Sequence, residues 1–359
     1  MLSRGALMTD GYYENGKIIV ADQAGGNRLF SKGGYGIPRK GGGVILNLYE
    51  SLCLIELGRL TVYMDSEPME STAIINSWAA EGKISLSKYL VYFDLRIGRG
   101  IFATVNDSGL VTLSSRPDEP PNTVLCVVSE HHEMMAGELF DFISEPESNH
   151  IVAMIDDKCN ISYYKVTEVQ PHGSLKESEI SQFTGTLFED LVVVFDKNAF
   201  QGIQLKSSIG QLVNDKLYVS FMDAYYLLCN GKLIVKTVQG TGIDPDAFYF
   251  ICKEKISNFD DKYAVYLDLR RRGMSVKTGF TFGGTFNVSS KNEHDGFSEY
   301  LVEAYSDINK LPIGNIPATS RVGGVTHKEC VFGIIGEKSI RYLKFSHYKP
   351  GLNQKLVRR

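Results

Sequence analysis

The chain has 359 residues, of which 43% are hydrophobic and 11% aromatic, and its formal net charge is −4. This length exceeds what one hydrophobic core usually organises, so two or more domains are expected. The charge excludes a strongly basic protein, and any contact with nucleic acid must therefore come from local patches of positive charge.

The N-terminus and the cysteines indicate the compartment. The stretch MLSRGALMTDGYY is too short and too polar for a signal peptide, and no run reaches the ~18 apolar residues that a membrane span needs. The six cysteines contain no CxxC pair and no disulfide-like spacing, and most lie within apolar runs. We therefore expect a cytoplasmic protein without membrane contact, whose cysteines are buried free thiols.

The first half of the chain contains three segments that matter for its organisation. Residues 49–62 are typical of a helix, a glycine and then a strand. Residues 89–96, YLVYFDLR, follow, and residues 149–166 contain two strands joined by the acidic turn Asp156-Asp157.

The second half repeats these three segments, and also the earlier stretch 32–38, in the same order and at nearly constant spacing. The matching stretches are 32–38 with 206–212, 49–62 with 222–235, 89–96 with 263–270, and 149–166 with 329–345. Four matches in one order indicate a tandem pseudo-repeat.

Each copy is predicted to contain a small N-terminal α/β unit and a larger unit with a mixed sheet. Strands and helices alternate irregularly within each unit, which indicates an α+β fold. The predicted units are 1–80 and 85–168 in copy 1, and 175–240 and 255–350 in copy 2, with residues 170–181 as the connector.

The segment 263–304 has the clearest local pattern. An apolar stripe from Tyr263 to Leu269 predicts a helix that ends in the basic run Arg270–Arg272, with Gly273 as its C-cap. Two short strands, 276–280 and 285–289, are predicted next, joined by Gly283-Gly284, and then a second helix over 298–304.

The string VKTGFTFGGTFNV, followed by SEYLV and then by Arg321 and Lys328, resembles the catalytic domain of archaeal tRNA splicing endonucleases. The resemblance implies an assembly of four such units. A chain with a doubled unit is then similar to the homodimeric members of that family.

The resemblance also implies a reaction and a substrate. A ribose 2′-hydroxyl of a precursor tRNA, at a bulge-helix-bulge, attacks the adjacent phosphate and leaves a 2′,3′-cyclic phosphate and a 5′-hydroxyl. This chemistry needs a base, an acid and a cation near the phosphorane, but no metal or other cofactor. DNA lacks the nucleophile.

In the family these roles belong to a tyrosine, a histidine and a lysine. Lys328 matches the lysine and is our candidate for charge stabilisation; outside the family frame it would be a solvated lysine at a strand start. Ser289 stands at the tyrosine position and Phe297 at the histidine position, and a serine hydroxyl alone is too weak an acid to replace the phenol. His294 is the candidate replacement, with an ordinary loop histidine as the alternative.

Two further positions correspond to RNA contacts in the family. Arg321 and His347 match the two side chains that hold a bulged base between them, although Arg321 could also be a plain exposed arginine. The run Arg270–Arg272 could add phosphate contacts, or could be a solvated helix end.

The turn Asp156-Asp157 matches an acidic loop that family members insert into a neighbouring catalytic unit, and the alternative is an ordinary hairpin turn. Copy 1 offers no equivalent of Lys328, since that position falls near Ser148. The group His131, His132, Glu133 and His150 lacks metal-ligand spacing, so no metal site is expected.

Three functions remain open from the sequence. The first is an active tRNA splicing endonuclease with an altered set of catalytic residues. The second is a catalytically impaired structural or RNA-binding member that needs a catalytic paralogue as partner. The third is a protein-interaction module without a role in RNA processing.

Overall fold

The computed structural model of the chain contains two compact units. Unit 1 consists of Met1–His132, Ser144–Lys165 and His347–Arg359, and unit 2 of Glu133–Ile143 and Val166–Ser346. The structure describes residues 8–106, 108–144, 148–175, 181–197, 209–278, 285–291, 298–307, 310–316 and 327–351.

Unit 1 begins with a six-stranded mixed sheet. Its strands are β1 (Thr9–Glu14), β2 (Lys17–Val20), β3 (Ile37–Pro38), β4 (Val44–Leu46), β5 (Leu60–Met64) and β6 (Glu67–Met69). Their order is β3-β4-β2-β1-β5-β6, and the pair β1 and β5 is parallel. The accompanying helices are α1 (Gln23–Asn27), α2 (Leu48–Glu56) and α3 (Ser71–Ala80), with a π-helical turn at Arg28–Lys32.

The rest of unit 1 combines one helix with five strands. Helix α4 (Leu86–Phe93) continues into a π-helical turn at Asp94–Gly98. The strands are β7 (Phe102–Val105), β8 (Val111–Ser114), β9 (Thr123–Ser129), β11 (Asn149–Ile155) and β12 (Ile161–Val169). They lie in the order β7-β8-β9-β11-β12, and the pair β9 and β11 is parallel.

Unit 2 contains a six-stranded sheet with the corresponding strand order. Its strands are β13 (Phe183–Leu187), β14 (Val192–Val194), β15 (Gln211–Val213), β16 (Lys216–Val219), β17 (Leu233–Lys236) and β18 (Gly242–Ile243). The order is β15-β16-β14-β13-β17-β18, and β13 and β17 are parallel. The helices are α6 (Phe221–Cys229), α7 (Pro245–Lys255) and α8 (Phe259–Arg271).

Five further strands of unit 2 carry the predicted site. They are β19 (Ser275–Thr278), β20 (Phe286–Ser289), β21 (Tyr300–Ser306), β23 (Glu329–Ile335) and β24 (Ile340–His347). Their order is β19-β20-β21-β23-β24, with β21 and β23 parallel. Separately, β10 (Glu133–Met135), which leads into α5 (Ala136–Phe142), pairs with β22 (Lys310–Pro312). The described part of the chain is thus a mixed α/β structure with several mixed sheets, as the α+β prediction required.

Helix α8 confirms the predicted apolar stripe. Val265, Tyr266 and Leu269 are buried on one face, where they belong to the same core as Phe286 and Val288 of β20. The helix ends because the next glycine, Gly273, adopts a left-handed backbone conformation with φ +76°. The stripe therefore fixes which face of the sheet the helix covers.

The predicted helix over 298–304 is wrong. The chain there forms strand β21, which pairs with β20 on one side and β23 on the other. A short apolar run does not distinguish a strand from a helix by its periodicity, and here the two neighbouring strands decide. The two strands predicted before it are present as β19 and β20 and form an antiparallel pair. Gly283-Gly284 lies outside the described residues.

All six cysteines are free thiols, as predicted, but only Cys53, Cys252 and Cys330 are buried. Cys159 and Cys229 are exposed, because each lies in or beside a turn at the end of an element rather than inside a strand or helix core. Within the described ranges, no helix has both the length and the apolar character that crossing a membrane requires.

Candidate functional site

Strand β20 places two polar side chains on one face of the sheet. Phe286 and Val288 are fully buried in the core that includes helix α8. Successive side chains of a strand point to opposite faces, so Asn287 and Ser289 lie on the face away from that helix. This face is the candidate site.

Lys328 reaches the same place from the start of strand β23. Its Nζ donates a hydrogen bond to Asn287 Oδ1 at 2.5 Å, and the Ser298 hydroxyl lies 3.5 Å from the same oxygen. Lys328 is half-buried, so its ammonium is held at the sheet rather than extended into solvent. The sequence analysis missed Asn287; the available signal was its position two residues before Ser289 on the same strand.

Ser289 is only 3% exposed. Its hydroxyl oxygen accepts a hydrogen bond from the Lys291 backbone N–H at 3.3 Å, which turns the chain at the end of β20. The residue opposite it in the register is Ser275, whose buried hydroxyl has no hydrogen-bond partner among the described residues. Ser289 is thus positioned near the site as a buried hydroxyl and not as a proton acceptor.

Two other ionisable residues, Tyr305 and Glu303, share one face of strand β21. Burial raises the pKa of Tyr305 to about 12, although a hydrogen bond with Asn315 acts in the opposite direction. Burial also raises the pKa of Glu303, whose carboxylate accepts a hydrogen bond from the Thr285 hydroxyl at 2.8 Å. Tyr305 therefore stays protonated near neutral pH.

The connector after β12 is tied to the end of β20. Ser174 donates from its backbone N–H to the Ser290 carbonyl at 3.0 Å, and its hydroxyl lies 3.3 Å from the same oxygen. Gly173 donates to the Arg272 carbonyl and Leu175 to the Gly273 carbonyl, each at 2.9 Å. The connector thereby fixes the C-terminus of helix α8 next to the strand that carries Asn287.

A buried carboxylate joins helices α6 and α8. Asp223 accepts hydrogen bonds from the Tyr266 hydroxyl at 2.6 Å and the Ser220 hydroxyl at 2.9 Å, and a further one from the Gly210 backbone. Burial raises the pKa of Asp223, while the positive charge of Arg270 partly offsets this. The carboxylate holds the start of helix α6 against the helix that supports the site.

Unit 1 has a buried acid, Glu50, at the corresponding place, with different hydrogen-bond partners. Its carboxylate accepts hydrogen bonds from the backbone N–H groups of Gly36 and Asn47, both at 3.0 Å. Burial raises the pKa of Glu50, with Arg96 acting in the opposite direction. The Arg96 guanidinium lies 4.1 Å from the centre of the Tyr35 ring. A buried acid and an arginine therefore recur at aligned positions of the two halves.

The other predicted site residues are not brought to Lys328 by the described structure. His294, Phe297 and Arg321 lie outside the described residues. His347 is exposed at the end of β24 and belongs to unit 1, where its ring packs edge-on against Tyr164 with centroids 5.9 Å apart.

The acidic turn between β11 and β12 uses its two carboxylates differently. Asp156 accepts hydrogen bonds from the backbone N–H groups of Lys158 and Asn160, so it stabilises its own turn. Asp157 is exposed and lies 3.0 Å from His131 Nε2, and this contact raises the pKa of His131. Glu130 completes a small group with them, which differs from the histidine group considered in the sequence.

Comparison with known proteins connects this geometry to a family. Residues 259–342 match the model of the tRNA intron endonuclease catalytic C-terminal domain, and residues 9–74 and 183–249 both match the model of its N-terminal domain. The catalytic match spans helix α8, Asn287, Ser289 and Lys328.

Several archaeal proteins named tRNA-splicing endonuclease are similar to the chain. The relative from Methanococcoides burtonii is 26% identical over 343 residues, which are 92% of this chain and 97% of the relative. The relative from Halobacterium salinarum is 26% identical over 351 residues, covering 90% and 95%. The relative from Thermococcus gammatolerans is 33% identical over 156 residues, which are 43% of this chain and 92% of the relative. The chain therefore belongs to the tRNA intron endonuclease family.

Proposed function

We propose that this protein is a tRNA splicing endonuclease that cleaves precursor tRNA at the bulge-helix-bulge boundaries of introns. The observation that carries the proposal is the position of Lys328 within the matched catalytic domain, where its ammonium is held by Asn287 on the face of the sheet away from helix α8. Relatives that align over nine-tenths of this chain carry the same name.

The proposed reaction is an internal transesterification of RNA. The ribose 2′-oxygen forms a bond to the adjacent phosphorus while the bond from phosphorus to the 5′-oxygen breaks. A base removes the 2′-proton and an acid protonates the 5′-oxygen, so the products are a 2′,3′-cyclic phosphate and a 5′-hydroxyl. The pentacoordinate phosphorane carries extra negative charge that a fixed cation stabilises.

Lys328 is the proposed cation. An ammonium that is already oriented by Asn287 needs little reorganisation when charge develops on the phosphate oxygens. His294 is the proposed proton-transfer group, since Ser289 is buried and phenylalanine at 297 cannot transfer a proton. Neither step uses a metal ion, and Lys328 supplies the positive charge that a metal provides in other nucleases.

RNA contacts are proposed for Arg321 and His347, which would hold one bulged base between them. The planar guanidinium of arginine and the imidazole ring of histidine both stack on bases, and the arginine also attracts the phosphates beside the base. The exposure of His347 at the end of β24 is compatible with this role.

The proposed assembly is a homodimer of chains that each contain two tandem copies, with units near 1–80, 85–168, 175–240 and 255–350. Two observations support the tandem copies. The six-stranded sheets of the two units have corresponding strand orders, and so do the two five-stranded sets. Glu50 and Asp223 also occupy the same place in the first turn of helices α2 and α6, and both are buried.

Within this dimer, the turn Asp156-Asp157 is proposed to contact the catalytic unit of the other chain. The carboxylate of Asp156 is engaged inside the turn, so it would shape the loop. The Asp157 side chain is 75% exposed and would make the intermolecular contact.

A test uses the purified protein with an intron-containing precursor tRNA. We expect cleavage in the presence of EDTA and 2′,3′-cyclic phosphate ends, with activity abolished by Lys328→Ala and lowered by His294→Ala. Lys310→Ala is a matched control, because that lysine is exposed and pairs with Glu133 away from β20. Cleavage that survives Lys328→Ala would refute the assigned role of this residue.

The second candidate function is RNA binding without cleavage by this chain alone, with a catalytic paralogue as partner. The burial of Ser289 and the phenylalanine at 297 favour it, because neither offers a proton acceptor. Tight binding of the precursor without cleavage, followed by cleavage after addition of a catalytic paralogue, would select this candidate over the first.

A further inference from the structure

Two adjoining grooves cross unit 2 beside helix α8. One encloses about 580 Å³ and is lined by residues of helices α6 and α8, including Tyr226 and Tyr263. The other encloses about 630 Å³ and extends to Ser290 and Lys291 just after strand β20. The grooves share Leu175 and Arg271, so together they form one channel along the C-terminal end of helix α8.

This channel, called the α8 groove below, is lined by cations. Arg270, Arg271, Arg272 and Lys291 all contribute to its walls, and none of the described lining residues is an aspartate or a glutamate. Carboxylates lie beyond the lining, and one of them, Glu299, accepts a hydrogen bond from the Ser290 hydroxyl. The groove therefore has a positive potential although the chain as a whole has a net charge of −4.

Two of the four cations are compensated within the fold. The Arg272 guanidinium is 2.6 Å from Asp268 Oδ2 and also donates to Gln170. Arg270 is next to the buried Asp223 carboxylate. Arg271 and Lys291 are exposed and form no ion pair within the described part of unit 2, so the excess charge of the groove belongs to them.

The dipole at the C-terminus of helix α8 does not by itself account for the excess positive charge of the α8 groove. A helix C-terminus attracts nearby cations, which explains arginines in the last turn of α8. Lys291 belongs to a different element, and its placement in the same groove as Arg271 and Arg272 adds repulsion between like charges. A bound anion removes that repulsion.

The groove adjoins the residues that follow strand β20. Ser290 and Lys291 directly follow Ser289, and the connector that carries Ser174 forms the opposite wall. The groove is therefore close in the chain to the strand that carries Asn287, and both belong to unit 2.

We propose that the α8 groove binds backbone phosphates of the substrate RNA outside the cleavage site, through Arg271 and Lys291. The inference rests on the proposed function for its ligand and adds a second contact surface to it. The groove contributes affinity and not sequence recognition, because phosphates are the same at every nucleotide.

The test is the salt dependence of RNA binding by Arg271→Ala/Lys291→Ala. The RNA is a precursor tRNA with 2′-deoxyriboses at the cleavage positions, so that it binds without being cut. Each lost phosphate contact lowers the slope of log Kd against log salt by about 0.7–0.9, so we expect a decrease of roughly 1.5 and an affinity about tenfold weaker near 0.1 M salt.

The matched control is Lys216→Ala/Lys236→Ala, which removes two exposed lysines from the six-stranded sheet of unit 2. It should leave the slope unchanged, and thermal unfolding should show that both double variants are folded. Wild-type affinity and slope in the groove variant would overturn the inference even if the protein cleaves RNA. Loss of dimerisation with unchanged RNA affinity would also overturn it and assign the groove to a protein contact.

If the protein is not a nuclease, the result differs from the one that overturns the groove inference. In that case the wild-type protein would bind RNA with a slope that the groove variant lowers, but would cleave no precursor tRNA. The groove inference would then stand without the nuclease.

Discussion

Replacing Asp223 with alanine should destabilise unit 2 more than any other single polar substitution in helices α6 and α8. The substitution leaves the buried Tyr266 hydroxyl and the Gly210 N–H without their acceptor, and each orphaned donor costs roughly 1–3 kcal/mol. Arg270 loses its nearby negative charge at the same time. We expect a loss of about 3–5 kcal/mol in the free energy of unfolding, the range observed when one partner of a buried pair is removed.

The assay is urea unfolding followed by far-UV circular dichroism, with fluorescence of Trp78 as a separate probe because the single tryptophan lies in unit 1. Tyr266→Phe removes one orphaned donor, so it should cost less in the Asp223→Ala background than alone, with a coupling of roughly 1–2 kcal/mol. Glu50→Ala is the matched variant in unit 1 and should move the Trp78 transition. Additive effects of Asp223→Ala and Tyr266→Phe would refute the reasoning.

The same carboxylate gives a pH dependence with a defined sign. Burial raises the pKa of Asp223 in the folded protein above its unfolded value, so the folded state binds this proton more tightly. Protonated Asp223 stabilises the folded state fully at pH values below the pKa of this residue in the unfolded chain. This stabilisation is lost as the pH rises through its pKa in the folded protein. Asp223→Asn should remove this fall in stability between the two values, and an unchanged pH profile would contradict the assignment.

Three further predictions concern the site, the connector and the acidic turn. Asn287→Ala should lower kcat by about tenfold or more with little change in KM, because Lys328 loses the group that orients it; an equal effect on KM would indicate a binding role. Gly173→Ala should already detach the connector and lower thermal stability, since a Cβ at Gly173 would lie 2.1 Å from the carbonyl oxygen of Gly273, and Gly173→Val should show an equal or larger effect. Asp157→Asn should lower the pKa of His131 measured by NMR titration, because the hydrogen bond to this carboxylate raises it.

Local patterns predicted much of the fold, and long-range pairing explains where they failed. The stripe of helix α8 and the glycine that ends it are properties of one short segment, so the sequence indicated both. Strand β21 is different, because the residues 300–306 become a strand by pairing with β23, which begins at Glu329. An apolar run carries no record of such a partner.

The candidate site likewise contains one residue that a local motif predicted and contacts that no local pattern indicated. Lys328 was recognisable from its motif, whereas its contact with Asn287 spans 41 positions in the chain and has no local signature. The bond from Ser174 to Ser290 spans 116 positions, and the connector had been interpreted only as a polar link between copies. Residues that hold a catalytic group in place are therefore harder to find from sequence than the group itself.

Glu50 and Asp223 show what the alignment of the two halves predicted and what it missed. An acidic residue in the first turn of a helix ordinarily caps exposed backbone N–H groups, so nothing in the local pattern indicates that Glu50 and Asp223 are buried. Arg96 and Arg270, which lie on other helical segments, partly offset the rise in pKa that burial causes in the two acids. The acid and the arginine recur together at the positions that the predicted repeat aligns, but the hydrogen-bond partners of the two acids differ. In unit 2 the support for helix α8 thus depends on a hydrogen bond from Tyr266 to Asp223 that neither segment specifies alone.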